Sequence, residues 1–359
     1  MQSAPQASPL SRYLLAAYGL LVVYASLHPL AGWESAGVDP LAFLVSPLPR
    51  YVFRLDVLAN LLGYLPLGFL AVLALHPHRR SGSAVATATF GGLTLSLAME
   101  ALQSYLPSRT PSNLDLAANA FGALFGALLA ARLAESPLLE LRLKALRYRL
   151  FRSGRAIDLG LVLLVLWLFT QLDAQSLLFG VGDLRPALRA LFSDASESHP
   201  AELFIGAEAM VACANTVAVG LLVALLAQSP QRIRRLIIAS LAIALLLHAI
   251  AYGVLFGLDD AFNWLTPGAY LGAGAGLAVV LGAAGLPRAG QVSLCALGLM
   301  AATVLVNVAP ENPYLANSLA TWRQGYYEHF IAVTRLISGA WPFMALAYVV
   351  SLAGLRPAT

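Results

Sequence analysis

Hydrophobic and polar positions divide the chain into long apolar runs separated by short polar breaks. A helix needs roughly 20 apolar residues to cross the hydrocarbon of a bilayer. Ten stretches meet or approach that length: 13–30, 55–75, 84–106, 114–134, 156–172, 203–227, 236–256, 265–286, 291–309 and 330–352. The runs are continuous and rich in Leu, Ala and Gly, whereas the strands of a membrane barrel alternate apolar and polar residues in segments of about ten. Backbone polar groups inside lipid are satisfied only in helices or closed barrels. The pattern therefore predicts an all-α polytopic membrane protein with about ten transmembrane helices. The first run is expected to be a retained helix, because no small-x-small cleavage pattern follows it before Trp33.

Composition sharpens this reading by excluding a soluble domain: 59% of residues are hydrophobic and 11% charged. Basic residues set the orientation. With a cytoplasmic N-terminus, fifteen of them fall on the inside, among them Arg79, Arg80, Arg232, Arg234 and Arg235, and six fall outside. That bias places both termini in the cytoplasm. Seven basic residues cluster between Arg132 and Arg155, which reads as a topology-setting linker with some attraction for anionic headgroups. All basic residues but Lys144 are arginine, a usage that points to a bacterial, GC-rich source and hence to the bacterial cytoplasmic membrane. Nothing suggests nucleic acid. Cys213 and Cys295 fall inside apolar spans, without metal or disulfide spacing, so no metal or other cofactor is expected.

Candidate chemistry lies in the polar residues that interrupt spans two to four. Asp56 and Asn60 are four apart and share a helix face; Pro66, inside the same run, removes a backbone hydrogen bond and is expected to kink the helix. Glu100 and Gln103 share a face near the end of the third span, Arg109 follows in a short loop, and Asp115, Asn119, Gly122 and Gly126 form one stripe on the fourth. All are expected at the outer rim. An ionisable group at such depth costs several kcal/mol unless it is paired or wetted, so the cluster is a site hypothesis by default. Bland readings stand beside it: Asp115 as a helix cap, the acids and arginine as a structural network, and Gly122 with Gly126 as a small-xxx-small packing surface.

The combination of D-x3-N followed by PLG, then E-x2-Q, a loop arginine, D-x3-N and G-x3-G resembles the VanZ-like family of bacterial membrane proteins. Asp56, Asn60, Pro66, Gly68, Glu100, Gln103, Arg109, Asp115, Asn119, Gly122 and Gly126 carry it, over about residues 13–134. The family takes its name from an accessory protein of glycopeptide-resistance clusters that lowers susceptibility to teicoplanin, an acylated glycopeptide. The resemblance implies business with amphiphiles at the outer face of the membrane, linked to antibiotic resistance or cell-envelope biogenesis. It assigns no catalytic residue.

Domain expectations follow. Residues 1–134 form a four-helix membrane domain, 135–155 the basic linker, 156–290 a second four-helix repeat, and 291–359 two further helices. The repeat is suggested by Asn215, 155 after Asn60, and by Gly272 and Gly276, 150 after Gly122 and Gly126; it implies a parallel duplication about the membrane normal. The second half offers Glu208, Asn215 and His248, with Asn307 and Arg335 beyond, and reads as a scaffold. Loops 173–202 and 311–329 read as amphipathic interfacial segments.

The leading functional expectation is a non-catalytic protein that binds a membrane lipid, another amphiphile or a lipid-linked envelope precursor. Arg109 would meet an anionic head, and Asn60, Gln103 and Asn119 would supply neutral hydrogen bonds. Two alternatives remain open: an enzyme using Glu100, Asp56 or Asp115 as acid or base on a lipid-linked substrate, and a lipid transporter or flippase. No nucleophile elbow, metal signature or phosphate-cradling loop favours the enzyme. Oligomeric state is not readable from the pattern.

Overall fold

The computed structural model describes residues 9–35, 37–48, 54–76, 81–185, 201–310, 312 and 328–354. Eleven α-helices form among them: α1 (Pro9–Leu27), α2 (Arg54–Leu75), α3 (Ser81–Gln103), α4 (Asn113–Ala134), α5 (Pro137–Leu150), α6 (Arg155–Thr170), α7 (Ala201–Leu226), α8 (Pro230–Phe256), α9 (Pro267–Ala283), α10 (Arg288–Val308) and α11 (Glu328–Gly354). The described residues contain no strand. Each of the ten apolar runs corresponds to one helix, and the additional one, α5, is the basic linker. Eight helices are long and apolar enough to cross a membrane. The other two apolar helices, α6 and α9, have 16 and 17 residues. At a rise of about 1.5 Å per residue they reach roughly 25 Å, short of a core of about 30 Å. The chain is therefore an all-α polytopic membrane protein with eight full-length candidate spans and two shorter apolar helices. Residues 186–200 of loop 173–202 and nearly all of loop 311–329 lie outside the described residues, and the expectation of interfacial segments falls outside them there; the described stretch 173–184 is non-helical and largely buried, so it is not an interfacial helix.

Two compact units divide the chain, one of residues 1–147 with 326–333 and the other of residues 148–325 with 334–359. In the first, α1 and α2 run antiparallel: Ser11 Oγ donates to the Leu73 carbonyl and Tyr18 Oη to that of Gly63. Helices α2 and α4 run parallel and make the closest approach. A Cβ on Gly122 would lie 2.2 Å from the Leu61 carbonyl oxygen, and one on Gly126 would lie 1.9 Å from that of Leu65. From the other side, a Cβ on Gly68 would lie 1.9 Å from the Ala123 oxygen. Only glycine allows backbones this near. Val72, Ala84, Ala88, Ala127, Ala130 and Ala131 continue the seam as a core of small side chains.

In the second unit α7 is the central helix, buried along most of its length. Its pairing with α9 repeats the design of α2 with α4. A Cβ on Gly268 would lie 2.6 Å from the Ile205 oxygen, and one on Gly272 2.2 Å from the Ala209 oxygen. Gly276 faces Cys213 in the same way. Setting Gly272 on Gly122 matches Ala209 to Leu61, so the position of Asn60 is taken by Glu208. The echo in sequence had matched Asn60 to Asn215 instead, but Asn215 Nδ2 donates to the Val211 carbonyl of its own helix. Behind α7, Trp341 Nε1 donates to the Leu163 carbonyl, 2.7 Å away, joining α11 to α6. The chain following α6 folds inward: Gln171, Asp173, Leu177, Phe179 and Val181 are buried. Asn307 fixes this segment, donating from Nδ2 to the Gly182 carbonyl and accepting from the Leu184 N–H at Oδ1.

Candidate functional site

The residues singled out in spans two to four gather at one end of the first unit, where α1 and α3 finish and α2 and α4 begin. Ser112 is the N-cap of α4; its hydroxyl accepts from the N–H groups of Leu114 and Asp115. Asp115 therefore stands in the first turn rather than at the cap, where its charge suits the positive end of the helix dipole. Glu100, 4% exposed, reaches across from α3 and accepts the Ser112 backbone N–H at 2.8 Å. The two acids thus bracket one helix start: Ser112 donates its N–H to Glu100 and its hydroxyl serves the backbone of Asp115.

Asp115 in turn faces α2. The Asn60 amide lies against its carboxylate, and Asp56, exposed one turn earlier, adds a like charge from the same face. Deeper in the bundle Asn119, also buried, donates from Nδ2 to Ser96 Oγ at 2.9 Å. Its Oδ1 has no hydrogen-bond partner among the described residues. The Tyr64 hydroxyl sits beside Ser96 and Ser26. Below this layer the glycines of α4 close the seam against α2.

Arg109 and Gln103 do something the spacing did not predict. Arg109 donates from Nη2 to the Ala25 carbonyl at 2.6 Å and from Nε to the His28 carbonyl at 3.3 Å; Gln103 donates from Nε2 to the Ser26 carbonyl at 2.8 Å. The carbonyls of Ala25 and Ser26 in the last turn of α1, where carbonyls have no partner within the helix, and of His28 just beyond it are thereby satisfied from α3 and its loop. Burial pulls the guanidinium below its usual pKa, and the charge of Glu100 acts in the opposite direction. The two groups sense each other through space, and the atoms that Arg109 bonds belong to α1.

The loop after α1 covers this end. Glu34 N–H donates to the Tyr105 carbonyl, and Asn113 Nδ2 to that of Ser46. Trp33, Leu41, Leu44, Val45 and Leu48 of the same loop are exposed, an apolar rim of the kind that rests in a bilayer interface.

Sequence reasoning missed Tyr64, Ser96 and Ser112. Helical spacing held a signal for two of them: Asp56, Asn60 and Tyr64 follow i, i+4, i+8, and Ser96 stands four residues before Glu100. Of the polar residues noted in the second half, Glu208 and His248 line one cavity of about 230 Å³. Arg335, exposed on α11, donates to the Gln175 side chain. Cys213 and Cys295 are free thiols, and no cluster of metal ligands occurs among the described residues.

The arrangement at the end of the first unit offers acceptors in quantity: three carboxylates and two amide oxygens in one layer, with its cation turned to main-chain carbonyls. Comparison with known families places residues 9–134 as a match to the VanZ/LLP1 family. The match ends with α4, so the whole second unit lies outside it. Neither the curated proteins nor the solved structures gave a match.

Proposed function

Taking the similarity of residues 9–134 to VanZ/LLP1 proteins as premise, we propose that the first unit is a non-catalytic receptor for the polar head of an amphiphile, such as a lipid-linked cell-envelope precursor. It works in the bacterial cytoplasmic membrane, with the polar layer toward the outer leaflet. Glu100 carries the reading: a carboxylate 4% exposed inside an apolar helix, held by one backbone N–H of Ser112. A purely structural acid at that depth would be expected in a close ion pair, yet the neighbouring guanidinium is bonded to α1. Glu100, Asp115, Asp56 and the free Oδ1 of Asn119 favour a head rich in hydroxyl or amide donors. Arg109 and Gln103 position the end of α1 beside it. The exposed apolar loop 33–48 would then border the acyl or polyprenyl chain.

Native mass spectrometry of the gently extracted protein tests this. Wild type is expected to retain an amphiphile that Glu100→Gln and Asp115→Asn lose by about tenfold or more, the equivalent of roughly 1.4 kcal/mol for one charge-assisted hydrogen bond. Unchanged retention in both variants, with the fold intact, would remove the site. Turnover of the retained precursor by wild type would point to acid–base chemistry instead.

A further inference from the structure

The second unit contains its own polar cavity, and the residues around it define a ligand. Glu208 of α7 is 3% exposed, inside an otherwise apolar helix. Its Oε2 accepts the hydroxyl proton of Thr266, the N-cap of α9, and that same hydroxyl accepts the Ala269 N–H at 3.2 Å. The hydrogen bonds run one way, from backbone N–H through hydroxyl to carboxylate, so Glu208 is held as an acceptor at the positive end of α9. Gly268 permits this: a Cβ there would lie 2.4 Å from Glu208 Oε2. The position corresponds to that of Asn60 in the first unit, with a charge in place of an amide.

Across the cavity stands His248 of α8, 1% exposed. Its Nδ1 lies 3.0 Å from the Gln171 carbonyl oxygen, a contact that only a ring N–H can make. The neutral imidazole consequently keeps its lone pair on Nε2, a buried atom with no hydrogen-bond partner among the described residues. Trp264 packs edge-on against the imidazole with centroids 5.2 Å apart, and Tyr252 lies tilted against it at 5.5 Å. Both aromatic rings line the cavity. Arg335 donates to the Gln175 side chain, and its charge acts on Asp173.

A carboxylate, an imidazole lone pair and two aromatic rings around one small void share a preference. Each accepts hydrogen bonds or attracts positive charge, and an anionic ligand would meet Glu208 unfavourably. At about 230 Å³ the cavity is smaller than the usual 300–1,000 Å³ of a drug-sized pocket, which suits a headgroup. We propose that this cavity is a binding site for a protonated primary amine, with the ammonium N–H groups donating to Glu208 and to His248 Nε2 and its charge facing Trp264 and Tyr252. An aminophospholipid headgroup and a free small amine share that chemistry.

The test uses the full chain in detergent micelles, equilibrated with equal amounts of phosphatidylethanolamine, phosphatidylcholine and phosphatidylglycerol and read by native mass spectrometry. In parallel, ethanolamine hydrochloride is titrated while tryptophan fluorescence is followed, with Trp264→Phe identifying the reporting residue. The ethanolamine lipid is expected to be retained over the glycerol lipid by about tenfold, the ratio set by one charge-assisted hydrogen bond. It should also exceed the choline lipid, whose ammonium has no N–H. Glu208→Gln should abolish the preference while leaving the melting temperature within a few degrees. Saturable ethanolamine binding without lipid preference assigns the site to a free amine. Equal retention of all three lipids together with no saturable ethanolamine response in wild type overturns the proposal, as does retention of the choline lipid equal to that of the ethanolamine lipid with both held above the glycerol lipid.

Discussion

Arg109 bonds neighbours that its position in the sequence does not suggest. An arginine in a short loop next to a buried glutamate suggests an ion pair or an anion site, yet its guanidinium bonds the Ala25 and His28 carbonyls. The end of α1 presents carbonyls with no intrahelical partner, and a half-buried donor fork answers one of them together with the His28 carbonyl just beyond. Hydrogen bonds to a charged group are worth about 1.5–3 kcal/mol. Arg109→Ala is therefore expected to destabilise the protein by about 2–3 kcal/mol, seen as a lower unfolding temperature in detergent; an arginine that served only an external anion would leave unfolding unmoved. Glu100 and Asp115 were legible as a pair because both interrupt apolar runs. Their meeting through Ser112 was not, since a hydroxyl and a backbone N–H carry no signal in hydropathy.

Helix existence was the most legible feature, because a long apolar run admits few other structures in lipid. Length was less so. The apolar run around α6 passes into buried non-helical chain from Gln171, and that around α9 into an exposed turn at Gly285 and Leu286, and hydropathy cannot separate helix from the chain that follows it. Pairing depends on small residues. The stripe of Gly122 and Gly126 suggested a close helix contact, but its partner, α2 in parallel orientation, is a tertiary fact. Gly126→Ala is expected to cost about 1–3 kcal/mol by overpacking against the Leu65 carbonyl. Gly91→Ala, on α3 with nothing within 4 Å of the added carbon, should be neutral or slightly stabilising through helix propensity. Thermal unfolding of the two variants side by side checks this; equal effects would contradict the close approach.

At the scale of the whole molecule, the basic residues of the linker between α4 and α6 predict a cytoplasmic segment. Fusions of a periplasm-active reporter are expected to be active after residue 109 and inactive after residues 144 and 356; the reverse pattern would move the polar layer to the cytoplasmic side and remove the proposed outer-leaflet ligand. Composition and run length alone specified a membrane protein made of helices, because the cost of unsatisfied backbone in hydrocarbon leaves so few options. The motif in the first 134 residues likewise identified the similarity of that segment to a family without reference to its folding. Folding was needed for everything that depends on which faces meet. It turned Arg109 toward α1, matched Glu208 rather than Asn215 to Asn60, and brought Glu208 and His248, forty residues apart, to one cavity. Hydropathy records where a residue sits along a helix, whereas contacts between helices in lipid are selected by small-residue fit and by hydrogen bonds whose partners lie far away in the chain.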